Sequence, residues 1–158
     1  MAFALKIKSK GLFGRVKSIN FNELISNCNL RYGSANDFQI LREGQIEQNT
    51  AVLYNPNRIG RGIFIDMNKV SEGEITISHS IPTTRTEIQD FVKVVKEIER
   101  QFKKASFYCE DEKKEYSTSE LENNIENMVE FNRKSLQQFM SNEQFPQLIL
   151  TLAKYPWF

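Results

Sequence analysis

The stretch at residues 60–104, GRGIFIDMNKVSEGEITISHSIPTTRTEIQDFVKVVKEIERQFKK, constrains the fold of this chain more than any other. Ile63, Ile65 and Met67 fall on one face of a strand, because side chains alternate with period two. Ile75, Ile77, His79 and Ile81 fall on one face of a second strand in the same way. The link from Asn68 to Gly73 is longer than a two-residue turn, which predicts a wider loop between the two. Pro82 bars a helix immediately before it, and Thr84 with Glu87 fits the S/T-x-x-E capping box. Ile88, Phe91, Val95, Ile98 and Phe102 then recur at spacings of three and four, one stripe of an amphipathic helix. Lys103 and Lys104 complement the dipole at its end. A sheet face and a helix stripe can bury each other, so the pattern predicts an α+β fold.

Both flanks can be placed around that layer. Phe3, Leu5 and Ile7 alternate with Ala4, Lys6 and Lys8, a half-buried strand whose lysines suit an exposed sheet edge. The GLFG step at 11–14 predicts a turn, with Arg15 to Ile19 returning as a hairpin arm. Ser18 or Asn20 can cap a short helix carrying Phe21, Leu24 and Ile25, which Asn27, Asn29 and Gly33 would end. Between 31 and 62 the pattern is weak: Phe38, Ile40 and Leu41 suggest a strand edge, and Ala51 to Tyr54 a short strand before a loop containing Pro56 and Gly60. SFYC at 106–109 predicts a strand, and residues 110–115 a charged loop. Ser117, Thr118 and Ser119 offer caps for a second long helix to about Met140, with Leu121, Ile125, Met128, Val129, Leu136 and Phe139 as its stripe. Phe145 and Pro146 stop it, and LILTLAKYPWF follows as an apolar strand or short helix. The expected architecture is one α+β domain over 1–158, a mostly antiparallel sheet packed against two long amphipathic helices.

Composition excludes several classes. At 158 residues, with 40% hydrophobic and 26% charged residues and twelve Phe, the chain can build a sizeable aromatic core. A formal charge of +1 argues against a dedicated polyanion binder. No apolar run approaches the roughly 20 residues that span a bilayer, so no membrane association is expected. The lysine-broken N-terminus lacks the apolar centre of a signal peptide, and Cys28 and Cys109 have no CxxC spacing. Reduced thiols in a cytoplasmic protein follow from this reading.

Candidate chemistry is sparse. His79 is the single histidine, so any His-based triad, zinc site or acid–base pair must use it. Its parity turns it toward the core, with Ser80, Thr83 and Thr84 close by, and a hydrogen-bonded structural histidine at a strand end is the simpler reading. Arg58 and Arg61 in NRIGRG form a candidate anion site, although the segment leads into a strand where phosphate-binding glycine motifs lead into a helix. Lys6, Lys8, Lys10, Arg15 and Lys17 put five positive charges and no negative ones in the first twenty residues, a candidate nucleic-acid surface without a stacking platform. Residues 105–130 carry eight acids against two lysines, a local charge of −6, with no calcium-loop pattern. Tyr155, Trp157 and Phe158 are interface candidates: such bulky aromatics complete a core, form a contact surface, or mark a longer chain.

The segment from Gly60-Arg61-Gly62 through Ile81-Pro82-Thr83-Thr84 and its helix resembles a family of bacterial proteins of unknown function. Those shared features are a Gly-Arg-Gly lead into a strand and a Leu/Ile-Pro-Thr-Thr opening to an amphipathic helix. The resemblance implies a bacterial cytoplasmic setting and an α+β fold, and this chain as a shortened or truncated relative of longer members. It supplies no activity. The expected function is therefore a non-enzymatic protein-binding role, of an accessory, inhibitor or immunity type, with a protein partner and no cofactor, metal or catalytic residue. A nucleic-acid binder using the basic N-terminal strand is the alternative, and a small enzyme centred on His79 the second.

Overall fold

The alternation in residues 60–104 folds into two neighbouring strands, and the stripe that follows into a helix laid against them. A computed structural model describes residues 1–9, 19–34, 49–58, 60–102 and 104–140. In chain order the elements are β1 (Ala2–Ser9), α1 (Phe21–Cys28), β2 (Arg31–Ser34), β3 (Thr50–Tyr54), β4 (Ile63–Asp66), β5 (Glu74–Ser80), α2 (Arg85–Gln101), β6 (Ala105–Cys109), β7 (Lys114–Tyr116), α3 (Thr118–Asn123) and α4 (Ile125–Met140). Among the described residues the strands form one sheet in the order β2-β3-β4-β5-β1-β6-β7, antiparallel at every join. With α2 and α4 as the long amphipathic helices, the fold class is α+β.

Register explains the core. Leu5 lies opposite Ile77, which lies opposite Ile65, and Ile7 lies opposite both Ile75 and Phe107. All six are essentially without exposed surface. Burying each such side chain contributes about 1.5–3 kcal/mol, so this row outweighs any surface contact in the molecule. Phe91, Val95 and Ile98 of α2 close over it in one continuous cluster, while Ile88 joins Met128 and Val129 of α4 in a smaller one.

Several expectations change in three dimensions. β1 is not an edge: β5 and β6 flank it, because its apolar face finds partners far along the chain. The expected single helix from 117 to 140 breaks at Asn124, whose N–H turns back to the carbonyls of Glu120 and Leu121 and closes α3. Ser117 opens α3 with a complete capping box, its Oγ accepting the Glu120 N–H at 3.1 Å and its N–H donating to Glu120 at 2.9 Å. The expected charged loop at 110–115 is shorter, because Lys114–Tyr116 forms β7 and buries Tyr116 opposite Phe107. The wide β4–β5 link contains a 3-10 turn at Val70–Glu72. Helix α1 follows its pattern, capped by Asn20 and ended by Asn29 in the left-handed region. The expected GLFG turn with its return arm from Arg15, the strand edge at Phe38, Ile40 and Leu41, and the final apolar segment lie outside the described residues. No helix among the described residues is long and apolar enough to cross a membrane.

Phe91→Ala empties the centre of this core and is expected to cost about 3–5 kcal/mol, whereas Ser117→Ala removes only a cap and costs about 1 kcal/mol. Urea melts followed by circular dichroism measure both; similar losses would contradict the placement of Phe91.

Candidate functional site

The two motifs that mark residues 60–104 meet in space. Thr84 caps α2 by accepting the Glu87 N–H at 3.1 Å. The Glu87 side chain crosses to the lead-in of β4, where its carboxylate accepts the Gly62 N–H at 2.8 Å and the Thr83 hydroxyl. Burial pushes the Glu87 pKa up, opposed by the Thr83 hydroxyl, the Gly62 and Arg61 N–H groups and the Arg61 charge. The glycines make this join possible. A Cβ on Gly60 would fall on the Glu87 carboxylate, and Gly62 sits at φ +88° with its absent Cβ only 2.6 Å from Val52 Cγ1. The Gly-Arg-Gly step is thus a latch between sheet and helix.

Arg58 and Arg61, the candidate anion site, line a small cleft of about 110 Å³ beside this latch. Glu87 and Asp90 line it too, so the cleft carries two carboxylates for its two guanidinium groups. Asp90 is buried and accepts from Lys93 at 3.2 Å and Asn55 at 3.4 Å. Nothing in this charge balance favours an anion strongly. Of the candidate nucleic-acid residues, Lys8 pairs with Glu74 at 3.0 Å, and Lys6 pairs with Glu110 and lies 3.7 Å from Glu74. Lys10, Arg15 and Lys17, and the interface candidates Tyr155, Trp157 and Phe158, lie outside the described residues.

His79 occupies a different kind of place. It lies opposite Phe3 on β1 and Ile63 on β4, with its ring edge-on to Phe91 at 4.8 Å and tilted against Phe3 at 5.6 Å. Only 1% of it is exposed. Nδ1 stands 2.9 Å from the Ser80 carbonyl, which can only accept, so Nδ1 carries the proton and Nε2 the lone pair. Burial lowers its pKa to about 4, partly offset by the bond to Ser80, and the ring is neutral at pH 7. Among the described residues no group bonds to the buried Nε2. The sequence-based expectation of a hydrogen-bonded histidine at a strand end holds at Nδ1; the orphan at Nε2 is additional.

His79 lines a groove of about 420 Å³, within the range of ligand pockets of roughly 300–1,000 Å³. Phe3 and Ile81 form one wall and Met128 and Phe131 of α4 the other. Asn132 pins α4 in position: its Oδ1 accepts the Thr83 N–H at 2.7 Å, and its Nδ2 donates to the Met128 carbonyl at 2.8 Å. Cys109 also lines the groove, but burial raises its thiol pKa, the reverse of an activated nucleophile. Cys28 is pushed up to about 11 by burial, and both thiols are free. Among the described residues no group of three His, Cys, Asp or Glu side chains is arranged to hold a metal.

Phe131 and Asn132 were not singled out by sequence reasoning. A phenylalanine between Glu130, Asn132 and Arg133, off the α4 stripe, was the available signal. Nothing local signalled the Asn132 bridge, since its partner on the far side is Thr83.

Among the described residues, fold and groove together define an α+β protein with an antiparallel sheet and a largely apolar groove bordered by the imidazole of His79. Residues 2–156 match the family described as Domain of unknown function (DUF4299), and the chain belongs to that family. The match extends well past the segment at 60–104. No curated protein and no solved structure matches the chain.

Two outcomes are expected. Gly60→Ala and Gly62→Ala should each destabilise the protein by about 1–3 kcal/mol, through displacement of the Glu87 carboxylate and through backbone strain with a clash. Arg58→Ala, at an exposed position, should stay within about 0.5 kcal/mol in the same chemical melts. The second concerns pH. The unfolded chain takes up a proton on His79 below about pH 6.5, while the folded chain resists until about pH 4, so acid favours unfolding. From pH 7.5 to 4.5 this group should remove about 2–3 kcal/mol of stability. His79→Leu should flatten that part of the profile; an unchanged slope would mean the ring is not buried as described.

Proposed function

We propose that this protein acts by binding another protein, as an accessory, inhibitor or immunity-type component of a bacterial cytoplasm, and that the groove beside α4 is its contact surface. The observation that carries the reading is Phe131, an aromatic left 50% exposed on α4 at a groove walled mainly by apolar side chains. Protein interfaces centre on aromatic anchors and adjoining apolar pockets, with polar residues at the rim. Asp111, Glu112 and Asn127 supply such a rim here. Two buried free thiols suit a reducing compartment. The nucleic-acid alternative draws little support, because phosphates would compete with Glu74 and Glu110 for Lys6 and Lys8. The enzyme alternative draws little either, since a ring titrating near pH 4 is a weak base at neutral pH.

A photo-crosslinking residue at position 131, with the protein expressed in a bacterial host of its own kind, should give one discrete adduct. Phe131→Glu should lower recovery of that partner at physiological salt by about tenfold or more, with an unchanged melting temperature. Equal recovery with Phe131→Glu would remove the groove as the contact surface.

A further inference from the structure

The chemistry of the groove narrows what enters it. Resting on the protein-binding reading above, we infer that the groove takes an aromatic side chain ending in an N–H or O–H donor, a tryptophan or tyrosine of the partner, carried on a basic segment.

Three features of the groove specify this group. Nε2 of His79 is a neutral acceptor, buried and without a partner among the described residues, and an unmet buried acceptor is unfavourable until a donor reaches it. The walls are Phe3, Ile81, Met128 and Phe131, which pack well on an aromatic ring, with the methionine sulfur adding a favourable contact to its edge. A purely polar group such as a serine or lysine would satisfy the nitrogen and leave these walls uncovered. A phenylalanine would cover the walls and leave the nitrogen unmet. Tryptophan and tyrosine do both. The rim supplies the third feature: Asp111 and Glu112 stand at the groove, and no lysine or arginine is among its described lining residues. Positive residues beside the inserted ring are therefore favoured.

Access needs one movement. Nε2 itself exposes less than 1 Å², so a donor reaches it only after a neighbouring side chain turns aside. Of the two rings against the imidazole, Phe91 is fully buried and Phe3 only partly. Phe3, which also packs edge-on to Phe91 and Tyr116, is therefore the ring that has to rotate.

The test uses the full chain and three short capped peptides: Lys-Gly-Trp-Gly-Lys, the same peptide with Phe for Trp, and the Trp peptide with Glu for both Lys. Because the chain has one histidine, its imidazole signals in a proton–carbon correlation spectrum belong to His79 without further assignment. The Trp peptide should move those signals and bind about fivefold tighter than the Phe peptide, the ratio one added hydrogen bond typically gives. The Glu-flanked peptide should bind more weakly than the Lys-flanked one. In His79→Leu the Trp and Phe peptides should bind alike. Should that variant fail to fold, the Trp-against-Phe ratio in the unaltered protein decides the matter alone. Equal binding of the two peptides, unmoved imidazole signals, or occupancy by free indole where no peptide binds would each overturn the inference. The first of these leaves Phe131-dependent partner capture standing; loss of that dependence removes the contact surface itself.

Discussion

Helix α2 is buried on more than its apolar stripe, and that burial forces three carboxylates into the interior. Glu87, Asp90 and Glu97 are all buried, and a buried carboxylate is costly unless hydrogen-bonded or paired. Each finds its partner on a different element. Glu87 takes the backbone before β4, Asp90 takes Asn55 after β3, and Glu97 takes Asn27 of α1 at 3.0 Å and Arg100. The apolar core sets how close α2 lies to the sheet, and these three joins set its direction and rotation. Exposed pairs such as Lys96 with Glu122 add little by comparison.

The groove is a consequence of how the remaining helices meet that frame. Asn132 ties α4 to the turn at Thr83, beside the end of β5, and Arg85 pairs with Glu126 at the start of α4. This holds α4 beside the Phe3 end of β1 and leaves a largely apolar channel between them, with His79 among its lining residues. The imidazole is thus enclosed by hydrocarbon on the Phe91 side and bordered by the groove. Burial that keeps it neutral is the same burial that leaves its second nitrogen without a partner among the described residues.

Much of the frame could be read in advance. The strand parity of Ile63 and Ile65 and of Ile75, Ile77 and His79, the Thr84 cap, the Asn20 cap and the β6 segment appear where local patterns put them, while Met67 and Ile81 fall just past the strand ends. Local patterns misjudged β1 as an edge, since Lys6 and Lys8 look solvated until Glu74 and Glu110 are brought beside them. They also missed the break at Asn124, where the apolar spacing runs on without interruption. At the candidate site, an inward-facing, hydrogen-bonded His79 was legible from parity and position, though not which nitrogen bonds. The partnerless Nε2 was not, because it depends on Phe3, Phe91 and α4 at once.

By itself the sequence determined the elements: steric alternation, helical periodicity and capping act over a few residues, and each is written in consecutive letters. It also placed the Gly60-Arg61-Gly62 turn ahead of a strand, although not the need for glycine at both positions. Only the tertiary structure decided that Gly62 meets Glu87, that β1 sits inside the sheet, and that Phe131 stands exposed near the sole histidine. These depend on contacts between residues far apart in the chain, where the energy lies in shape and complementary burial rather than in any local spacing.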